Sequence, residues 1–330
     1  MKDGCERNID YLRVSVTDRC NLRCLYCMPE SGVEPLGHRD ILSYEEVLRL
    51  GHIASALGIR KIKITGGEPL VRKNVDRLIA GLKAIDGIDS VTLTTNGVLL
   101  KSQLPKLLEA GLDAVNLSLD TMDEEKYRQV TRIGSLKEAL EGLEAVLSAR
   151  PSIPVKINCV PYFSDRENIV SMAGLAKTYP VHVRFIEMMP IGLGSCCEPC
   201  REDSIRQMLT EAYGPLKECT QVLGNGPCRY FSLPGFSGKI GFISALSHKF
   251  CGQCNRVRLT ADGYLKTCLQ YDTGADLKAL LRGGADDEAL AAAMRAAIAD
   301  KPKGHHFGAQ AGDVGQKSKD EHLSMYQIGG

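Results

Sequence analysis

Three cysteines near the start of the chain have the spacing of an iron–sulfur motif. Cys20, Cys24 and Cys27 form the pattern CxxxCxxC. Three thiolates can hold three irons of a [4Fe–4S] cluster, so the fourth iron receives no ligand from this motif. An iron with an open position is a place for chemistry, whereas a fully ligated cluster mainly transfers electrons. Zinc sites usually need four ligands in paired spacings, so the pattern favours a cluster over zinc.

A second set of three cysteines lies late in the chain. Cys251 and Cys254 form a CxxC pair, and Cys268 follows after thirteen more residues. A zinc ribbon would carry a second CxxC pair, so a second cluster with one open iron is the sharper hypothesis. Zinc stays open as the alternative, with His248 or another cysteine as the fourth ligand.

Two arginines lie between the ligands of the second set. Arg256 and Arg258 are two residues apart on a predicted strand, and alternation puts both on one face. Paired guanidinium groups suit a phosphate or a carboxylate, which they bind through bidentate, charge-assisted hydrogen bonds. The plainer interpretation is a strand face in contact with solvent.

Seven of the thirteen cysteines lie outside these two sets. Cys196, Cys197 and Cys200 are grouped, and an accessory metal site, a redox pair or incidental thiols would each account for them. Adjacent cysteines do not readily ligate one metal, so incidental thiols are favoured. The isolated cysteines are interpreted as structural or neutral, and they are Cys5, Cys159, Cys219 and Cys228.

The composition excludes several classes of protein. The net charge is +1 over 330 residues, so no basic excess points to nucleic acid or to a membrane surface. No apolar run reaches about 18 residues, which predicts that no transmembrane helix is present. Residues Met1–Asp10 are polar and do not resemble a secretory leader, and thirteen cysteines suit a reducing compartment, so we expect a cytoplasmic protein.

The sequence alternates between predicted strands and predicted helices, and this scaffold must bring the cysteine sets and the arginines together. The alternation predicts a parallel sheet in an α/β fold, and six strand–helix units predict an open, partial barrel. Ser43 followed by Glu46 predicts a capping box at the first helix. The predicted strands are Tyr11–Val16, Lys61–Thr65, Ser90–Thr95, Ala114–Leu119, Val155–Val160 and His182–Glu187. The predicted helices are Ser43–Ala56, Val75–Ile85, Ser102–Ala110, Leu136–Ala149 and Asn168–Tyr179.

Polar and glycine-rich clusters follow several of these strands. The clearest is Gly66-Gly67-Glu68-Pro69, and Thr94, Ser118 and Met189 lie at or just after the ends of others. Each cluster taken alone is equally typical of an ordinary turn. Because the carboxyl ends of parallel strands meet at one rim of a barrel, we expect the clusters to form one site there.

The strand–helix pattern ends near residue 190, so we predict a barrel over residues 1–190 and a second domain over residues 191–330. The second domain contains β-like runs at Lys239–Ser244 and Asn255–Leu259. It also contains an Ala/Leu-rich helical stretch, Asp276–Ala299, interrupted near Gly283. From Lys301 the chain is polar, without hydrophobic periodicity, until it ends in Gly329-Gly330.

These motifs resemble those of a known superfamily. CxxxCxxC with Tyr26 before its last cysteine, followed by Gly66-Gly67-Glu68-Pro69, is similar to the radical S-adenosylmethionine (SAM) enzymes. The CxxC-x13-C set, the run Asn255–Arg258 and the terminal diglycine narrow the resemblance to the GTP 3′,8-cyclases. The resemblance implies a partial (β/α)6 TIM-like barrel of the radical SAM type with a C-terminal iron–sulfur extension.

The resemblance implies a lyase-type cyclase that carries out the first step of molybdenum cofactor biosynthesis. The open iron of the first [4Fe–4S] cluster would chelate SAM, and its reductive cleavage would give a 5′-deoxyadenosyl radical. That radical would take hydrogen from C3′ of GTP, and the resulting carbon radical would attack C8 of guanine. The residues implied to bind SAM are Tyr26, Gly67, Ser118 and Met189.

The second [4Fe–4S] cluster would hold the guanine of GTP through its own open iron. The terminal Gly329 and Gly330 would reach into the active site, where Arg256 and Arg258 would also be catalytic. The triphosphate needs basic residues inside a nearly neutral protein. The residues implied to contact GTP are Arg13, Lys63, Thr94, Lys156, Arg256, Val257 (through its backbone) and Arg258.

The implied partners are GTP, a low-potential electron donor of the flavodoxin or ferredoxin type, and the downstream cyclic pyranopterin monophosphate synthase. A homodimer is kept open. One rival is a different radical SAM enzyme that modifies peptides and uses the second set as an auxiliary cluster. Another rival, from a different class, is a zinc-binding regulatory or interaction module without catalysis.

Overall fold

Six parallel strands form the centre of the computed structural model, which describes residues 1–37, 39–150, 152–221, 223–307 and 323–329. Each predicted strand is present, with its end moved by at most one residue. The strands are β1 (Tyr11–Ser15), β2 (Lys61–Thr65), β3 (Ser90–Thr95), β4 (Ala114–Ser118), β5 (Val155–Cys159) and β6 (His182–Ile186).

Six helices alternate with these strands. The capping box predicted at the first of them is present, because Ser43 Oγ accepts a hydrogen bond from the Glu46 amide and the Glu46 carboxylate accepts one from the Ser43 amide. The fourth helix was not predicted, since its sequence Glu-Glu-Lys-Tyr-Arg-Gln-Val-Thr has only a short apolar stripe. The helices are α1 (Tyr44–Ala56), α2 (Val75–Lys83), α3 (Leu100–Glu109), α4 (Glu124–Thr131), α5 (Leu136–Ser148) and α6 (Arg166–Thr178).

The remaining elements follow after residue 190. The predicted Ala/Leu-rich helix is two helices, which separate at Gly283 as expected. Within the described residues, no helix combines the length and the apolar character that crossing a bilayer requires. The strands are β7 (Lys217–Cys219), β8 (Arg229–Ser232), β9 (Ile240–Ile243), β10 (Arg256–Leu259), β11 (Tyr264–Lys266) and β12 (Gly274–Asp276). The helices are α7 (Glu202–Tyr213), α8 (Leu277–Arg282), α9 (Asp287–Ala299) and α10 (Met325–Ile328).

The late strands join the same sheet as the early ones. The strand order is β12-β11-β10-β1-β2-β3-β4-β5-β6-β9-β8-β7. β10 pairs in parallel with β1, and β9 pairs in parallel with β6, so a parallel strand from the C-terminal region flanks the six-stranded barrel on each side. The sequence predicted β structure for both runs but did not predict where they would pair. The C-terminal region therefore contributes directly to the sheet that carries the site.

The parallel strands alternate between apolar and polar residues, which is unusual for a sheet of this kind. Apolar side chains such as Leu12, Ile62 and Val115 are fully buried and belong to the core that the helices cover. The residues that alternate with them, such as Arg13, Lys63 and Asn116, are polar and point to the opposite face. The sheet thus presents its polar face to the interior of the partial barrel.

Candidate functional site

A cavity of about 330 Å³ lies inside the partial barrel, and both cysteine sets line it. The two sets are more than 220 residues apart in sequence, and the parallel pairing of β10 with β1 brings them together. The cavity wall includes the predicted residues Arg13, Cys20, Cys24, Tyr26, Cys27, Gly67, Thr94, Ser118, Met189, Cys251, Cys254, Arg256, Arg258 and Cys268.

The loop that carries the first cysteine set is fixed by the end of α4. The amides of Arg23 and Leu25 donate to the carbonyls of Thr131 and Val130, at 3.0 and 2.9 Å. Arg132 follows α4 with a φ of 62° and donates from its guanidinium to the carbonyls of Arg23 and Met28. A non-glycine residue holds such a backbone conformation only when its surroundings enforce it. Contacts with the end of α4 therefore fix the position of this loop without a contribution from a cofactor.

The first cysteine set has the surroundings of an iron–sulfur site. The Leu22 amide donates to Cys20 Sγ at 3.3 Å, and the Asn96 side-chain amide donates to the same sulfur at 3.9 Å. Hydrogen bonds to sulfur tune the clusters that such thiolates hold. Burial raises the pKa of Cys20 to about 11 and that of Cys27 to about 12. A bound metal cluster would keep these thiols ionised despite burial.

The turn Gly66–Pro69 lies directly against the backbone that leads into the first cysteine set. The Gly67 amide donates to the Thr17 carbonyl at 2.7 Å, and the Glu68 amide donates to the Arg19 carbonyl at 2.8 Å. A Cβ atom on Gly67 would lie 2.4 Å from the Arg19 carbonyl oxygen. Glycine is thus required here for close approach of two backbone segments.

The Glu68 carboxyl group holds the turn in place from the other side. It accepts hydrogen bonds from the amides of Leu70 and Asn96 at 3.0 and 2.7 Å, and from Thr95 Oγ1 at 2.8 Å. Burial raises its pKa to about 7, against the opposing effect of these donors. Glu68 lies between the ends of β2 and β3, so it fixes the relative position of two strand ends at the rim.

We predict that Gly67→Ala lowers activity by roughly tenfold or more, because the turn must move away from the cysteine loop and a displacement of about 1 Å can cost far more. The measurement is turnover with SAM and GTP, together with the dissociation constant for SAM. Gly174→Ala is the matched control, since its Cβ would lie 3.2 Å from the Tyr213 hydroxyl and Gly174 does not line the cavity. Wild-type turnover and SAM affinity in Gly67→Ala would contradict the prediction.

Tyr26, Ser118 and Met189 all reach the same cavity wall. The Tyr26 hydroxyl donates to Asp120 Oδ2 at 2.6 Å, and the Val160 amide donates to Asp120 Oδ1 at 2.8 Å. Burial raises the pKa of Asp120 to about 6. Asp120 was not predicted as a site residue, although its position at the end of a parallel strand was a usable signal.

The second cysteine set lies across the cavity on a short helical turn and the strands after it. The Cys254 amide donates to the Cys251 carbonyl at 3.1 Å, which closes the CxxC turn. Burial acts to raise the pKa of Cys254, but Lys301 and Arg256 together outweigh it and lower that pKa to about 7. The second set therefore lies in a more positive environment than the first.

The structure gives no support to a single zinc ion at either set. His248, the candidate fourth ligand, has its Nδ1 atom 3.5 Å from Glu202 Oε2 and does not line the cavity. Across the described ranges, no three His, Cys, Asp or Glu side chains converge as ligands of one ion. A cluster needs no such convergence, because each thiolate binds a different iron.

Six cationic side chains gather on the inner face of the sheet. In the register of the sheet, Arg13 lies opposite both Arg258 and Lys63. Burial first, and then neighbouring cations, lower the pKa of Lys63 and of Arg258 well below their ordinary values, and that of Arg13 to about 10. Six residues form this cationic cluster, and they are Arg13, Lys63, Lys156, Arg184, Arg256 and Arg258.

The cationic cluster is arranged to receive an anion. Within the described residues, no carboxylate side chain forms an ion pair with Lys63, Lys156, Arg184 or Arg256. Gathering buried like charges costs free energy, which a bound polyanion would recover. Arg184 was not predicted from the sequence, yet a lone cation within the apolar strand His-Val-Arg-Phe-Ile is the signal that identifies it.

The C-terminal residues reach the cationic cluster. Arg258 Nη1 donates to the Gly329 carbonyl at 2.5 Å. Gly329 has a φ of +86°, and a Cβ atom there would lie 2.8 Å from Thr65 Oγ1, so glycine is required. Gly330 and the polar stretch 308–322 lie outside the described residues.

Several predicted residues lie near the cavity without lining it. Lys63 is buried behind Arg13, and Lys156 lies on β5 close enough to Arg184 for the two charges to interact. The Val257 side chain belongs to the hydrophobic core. Cys196 is exposed, Cys197 is half-buried and Cys200 is buried, and these three cysteines do not line the cavity.

Two protein-family models match the chain. The model described as Radical SAM superfamily matches residues 14–173, and the one described as Molybdenum Cofactor Synthesis C matches residues 181–307. The first range contains Cys20–Cys27, and the second contains Cys251–Cys268.

Curated relatives match over the full length. The chain is 46% identical to a GTP 3′,8-cyclase of Syntrophomonas wolfei, with 100% of both chains covered. It is also 46% identical to GTP 3′,8-cyclases of Moorella thermoacetica, with 93% of this chain and 95% of the relative covered, and of Heliobacterium modesticaldum, with 100% of both covered.

Solved structures share the fold at low identity. Streptococcus suis SuiB bound to its precursor peptide SuiA superposes with a TM-score of 0.61 at 16% identity, covering 88% of this chain and 67% of that one. SuiB bound to S-adenosylmethionine gives 0.60 at 16% identity, covering 89% and 68%. These matches support the radical SAM fold and the presence of a C-terminal extension.

Proposed function

The chain belongs to the GTP 3′,8-cyclase family of radical SAM enzymes, and from that premise we propose how its cavity holds cofactor and substrate. The enzyme converts GTP to (8S)-3′,8-cyclo-7,8-dihydroguanosine 5′-triphosphate, the first step of molybdopterin biosynthesis. The observation that carries the division of roles is that two three-cysteine sets and three arginines of the cationic cluster line one cavity, and these arginines are Arg13, Arg256 and Arg258.

Cys20, Cys24 and Cys27 would hold the cluster that binds SAM. The fit rests on their shared cavity wall and on the donors to Cys20 Sγ. When bound, the cluster and SAM supply an electron and a carbon-centred radical able to abstract hydrogen. The turn at Gly67, with Tyr26, Ser118 and Met189, would orient SAM. Asp120 would act through Tyr26, which it holds by a hydrogen bond.

Cys251, Cys254 and Cys268 would hold the second cluster, on the side of the cavity where GTP binds. Arg256 and Arg258 extend from β10 beside these thiols, and β10 pairs with the strand that carries Arg13. The cationic cluster would therefore bind the triphosphate while the guanine faces the second cysteine set. Thr94 lines the wall between the two ligands, and the backbone of Val257 would contribute from the strand itself.

The chain's own contribution is positioning and exclusion of water. Radical chemistry is carried by the cofactor, so the protein must place C3′ and C8 of GTP and keep competing hydrogen donors away. The cavity lies inside the barrel, with Gly329 held over its edge by Arg258.

We expect GTP binding to take up protons and to weaken as pH rises through about 8. Burial and then Arg184 lower the pKa of Lys156 to about 8, while Cys228 acts in the opposite direction. An adjacent triphosphate would raise this pKa again. Below pH 8 Lys156 is charged and contributes fully; above it, affinity falls by up to roughly tenfold per pH unit. His182, with its pKa lowered to about 4 by burial and by Lys156, stays neutral in this window.

Calorimetric titration of GTP in buffers of different ionisation enthalpy measures this proton uptake directly. Burial and neighbouring cations also lower the pKa of Lys63, so an adjacent triphosphate would add proton uptake there as well. Lys156→Arg is the matched control, because arginine keeps its charge across the window. Identical pH profiles for wild type and Lys156→Arg between about pH 7 and about pH 9 would contradict the assignment.

The deciding experiment supplies the reduced enzyme with SAM and either GTP or candidate peptides. We expect deoxyadenosine formation that depends on GTP, with the cyclised nucleotide as product. Deoxyadenosine formation that depends on peptide alone would instead support the rival peptide-modifying enzyme. Iron and sulfide analysis of protein purified without oxygen, with electron paramagnetic resonance spectra before and after GTP addition, tests the second cluster separately. Zinc in place of iron would refute the cluster at that set.

The remaining assignments are proposals that follow from this chemistry. We propose a flavodoxin- or ferredoxin-type electron donor, transfer of the product to a cyclic pyranopterin monophosphate synthase, and a cytoplasmic location in which the thirteen free thiols stay reduced. A homodimer remains open. Residues 1–190 would supply the SAM side of the cavity, and residues 191–330 the second cluster and the tail.

A further inference from the structure

A buried ion pair near the N-terminus lies next to the second cysteine set. Arg7 Nε is 2.6 Å from Asp3 Oδ2, and the two side chains are 6% and 0% exposed. Asp3 Oδ1 also accepts hydrogen bonds from the amides of Cys5 and Arg7, at 2.9 and 3.0 Å. A guanidinium held this firmly can position whatever else it contacts.

Arg7 uses its remaining donors on two segments that are far apart in sequence. Nη1 donates to the carbonyls of Cys251 and Lys303 at 2.9 and 3.0 Å. Nη2 donates to the carbonyls of Lys301 and Pro302 at 3.2 and 2.7 Å. The ion pair thus ties residues 301–304, here called the strap, to the first cysteine of the second set.

The strap packs directly against the second set. A Cβ atom on Gly304 would lie 3.5 Å from Cys251 Sγ. Lys301 lines the cavity together with Cys254 and Cys268 and is only 5% exposed. Its ammonium donates to the carbonyl of Thr267, the residue before Cys268. The strap therefore brings one buried cation to the three candidate thiolates.

The charge of Lys301 has no counterpart in the part of the chain that the structure describes, where no carboxylate forms an ion pair with it. A buried ammonium paired only with a carbonyl is costly unless negative charge lies nearby. A cluster held by three thiolates carries net negative charge, which increases when it is reduced. The second cysteine set lines the same cavity as Lys301 and is able to supply this charge.

We propose that Lys301 is the charge partner of the second cluster and raises its reduction potential, and that Arg7 and Asp3 position Lys301 through the strap. This inference rests on the proposed second cluster at Cys251, Cys254 and Cys268. A fixed positive charge favours the more negative, reduced state, so the cluster is easier to reduce beside Lys301. Lys301 is a positioning and tuning residue, separate from the arginines proposed to bind phosphate.

The test uses the full chain with Cys20, Cys24 and Cys27 all replaced by alanine, which leaves only the second cluster. Its midpoint potential is measured by redox titration followed by electron paramagnetic resonance. In this background, Lys301→Gln is expected to shift the midpoint to a more negative value, and Lys301→Arg to retain it. Lys303→Gln, on an exposed residue of the same strap, is the matched control and should leave the midpoint unchanged.

Each outcome bears on the inference. An unchanged midpoint in a fully loaded Lys301→Gln variant overturns it, as does a raised dissociation constant for GTP with the midpoint unchanged, which would assign Lys301 to the substrate. Lys301→Met is the second neutral variant. Failure of both neutral variants to hold a cluster that Lys301→Arg holds supports the charge role, whereas failure of all three overturns it.

The parent triple variant separates this inference from the proposed function. If it contains no iron or sulfide, the second cluster itself is refuted and the role of Lys301 falls with it. If it contains a full cluster whose midpoint is insensitive to Lys301, only the role of Lys301 is refuted. The same comparison applied to Arg7→Gln should reproduce part of the negative shift, because the strap loses three of its hydrogen bonds and Cys251 loses one.

Discussion

Cys24→Ala is expected to abolish all turnover, including cleavage of SAM in the absence of GTP. Two remaining thiolates, Cys20 and Cys27, are too few to retain a cluster of this kind. Cys20 and Cys27 line the same cavity as Cys24. Outside the second set, no other cysteine among the described residues lines this cavity, so no other thiol there replaces the missing ligand. The iron content of the purified protein should fall by about half, because the second cysteine set is untouched.

Iron analysis and the yield of deoxyadenosine after reduction with dithionite measure this loss. Cys196→Ala provides the control, since Cys196 is exposed and does not line the cavity. It should keep the full iron content and activity. Residual GTP-dependent product in Cys24→Ala would show that the first set is not the SAM-cleaving centre.

Cys251→Ala has an equally large effect on product but a different signature. It should lose about half of the iron and all GTP-dependent product, while slow cleavage of SAM continues without coupling to cyclisation. The reason is that Cys251, whose carbonyl accepts a hydrogen bond from Arg7, belongs to a different loop from Cys24, although both residues line the cavity. Removing it leaves the first set and the turn at Gly67 intact.

The measurement is deoxyadenosine and cyclised nucleotide determined in the same reaction. Cys219→Ala is the control, because Cys219 lies on the edge strand β7 and does not line the cavity. Full iron content together with normal cyclase activity in Cys251→Ala would mean that the second set holds no cluster.

Most of the central fold was predictable from the sequence because its signals are local. Each of the six strands is a short β-rich run, and Ser43 with Glu46 marks a helix start within four residues. The pairing of β9 and β10 with β6 and β1 was not predictable in the same way. It depends on contacts across more than 50 and more than 240 residues, which no local pattern encodes.

The same distinction between local signals and long-range contacts applies to the residues of the candidate site. Cys20, Cys24, Cys27 and the second set are recognisable from spacing, because a cluster requires several ligands from one short loop. Arg184, Asp120 and Lys301 are single residues whose roles depend on neighbours from other elements. The proposed role of Lys301 in particular depends on its neighbours Arg7 and Cys251, and these two residues are 244 positions apart in the sequence.

The pairing of β1 with β10 also sets an order of events during synthesis. The first cysteine set leaves the ribosome soon after β1, but the outer edge of β1 has no native partner until roughly 240 further residues have been made. At translation rates of about 5–20 residues per second, this interval lasts roughly ten to fifty seconds. During that time the cationic inner face is open at one side. The nascent chain therefore passes through a stage in which the first cysteine loop is accessible to iron–sulfur delivery before the late strands enclose it.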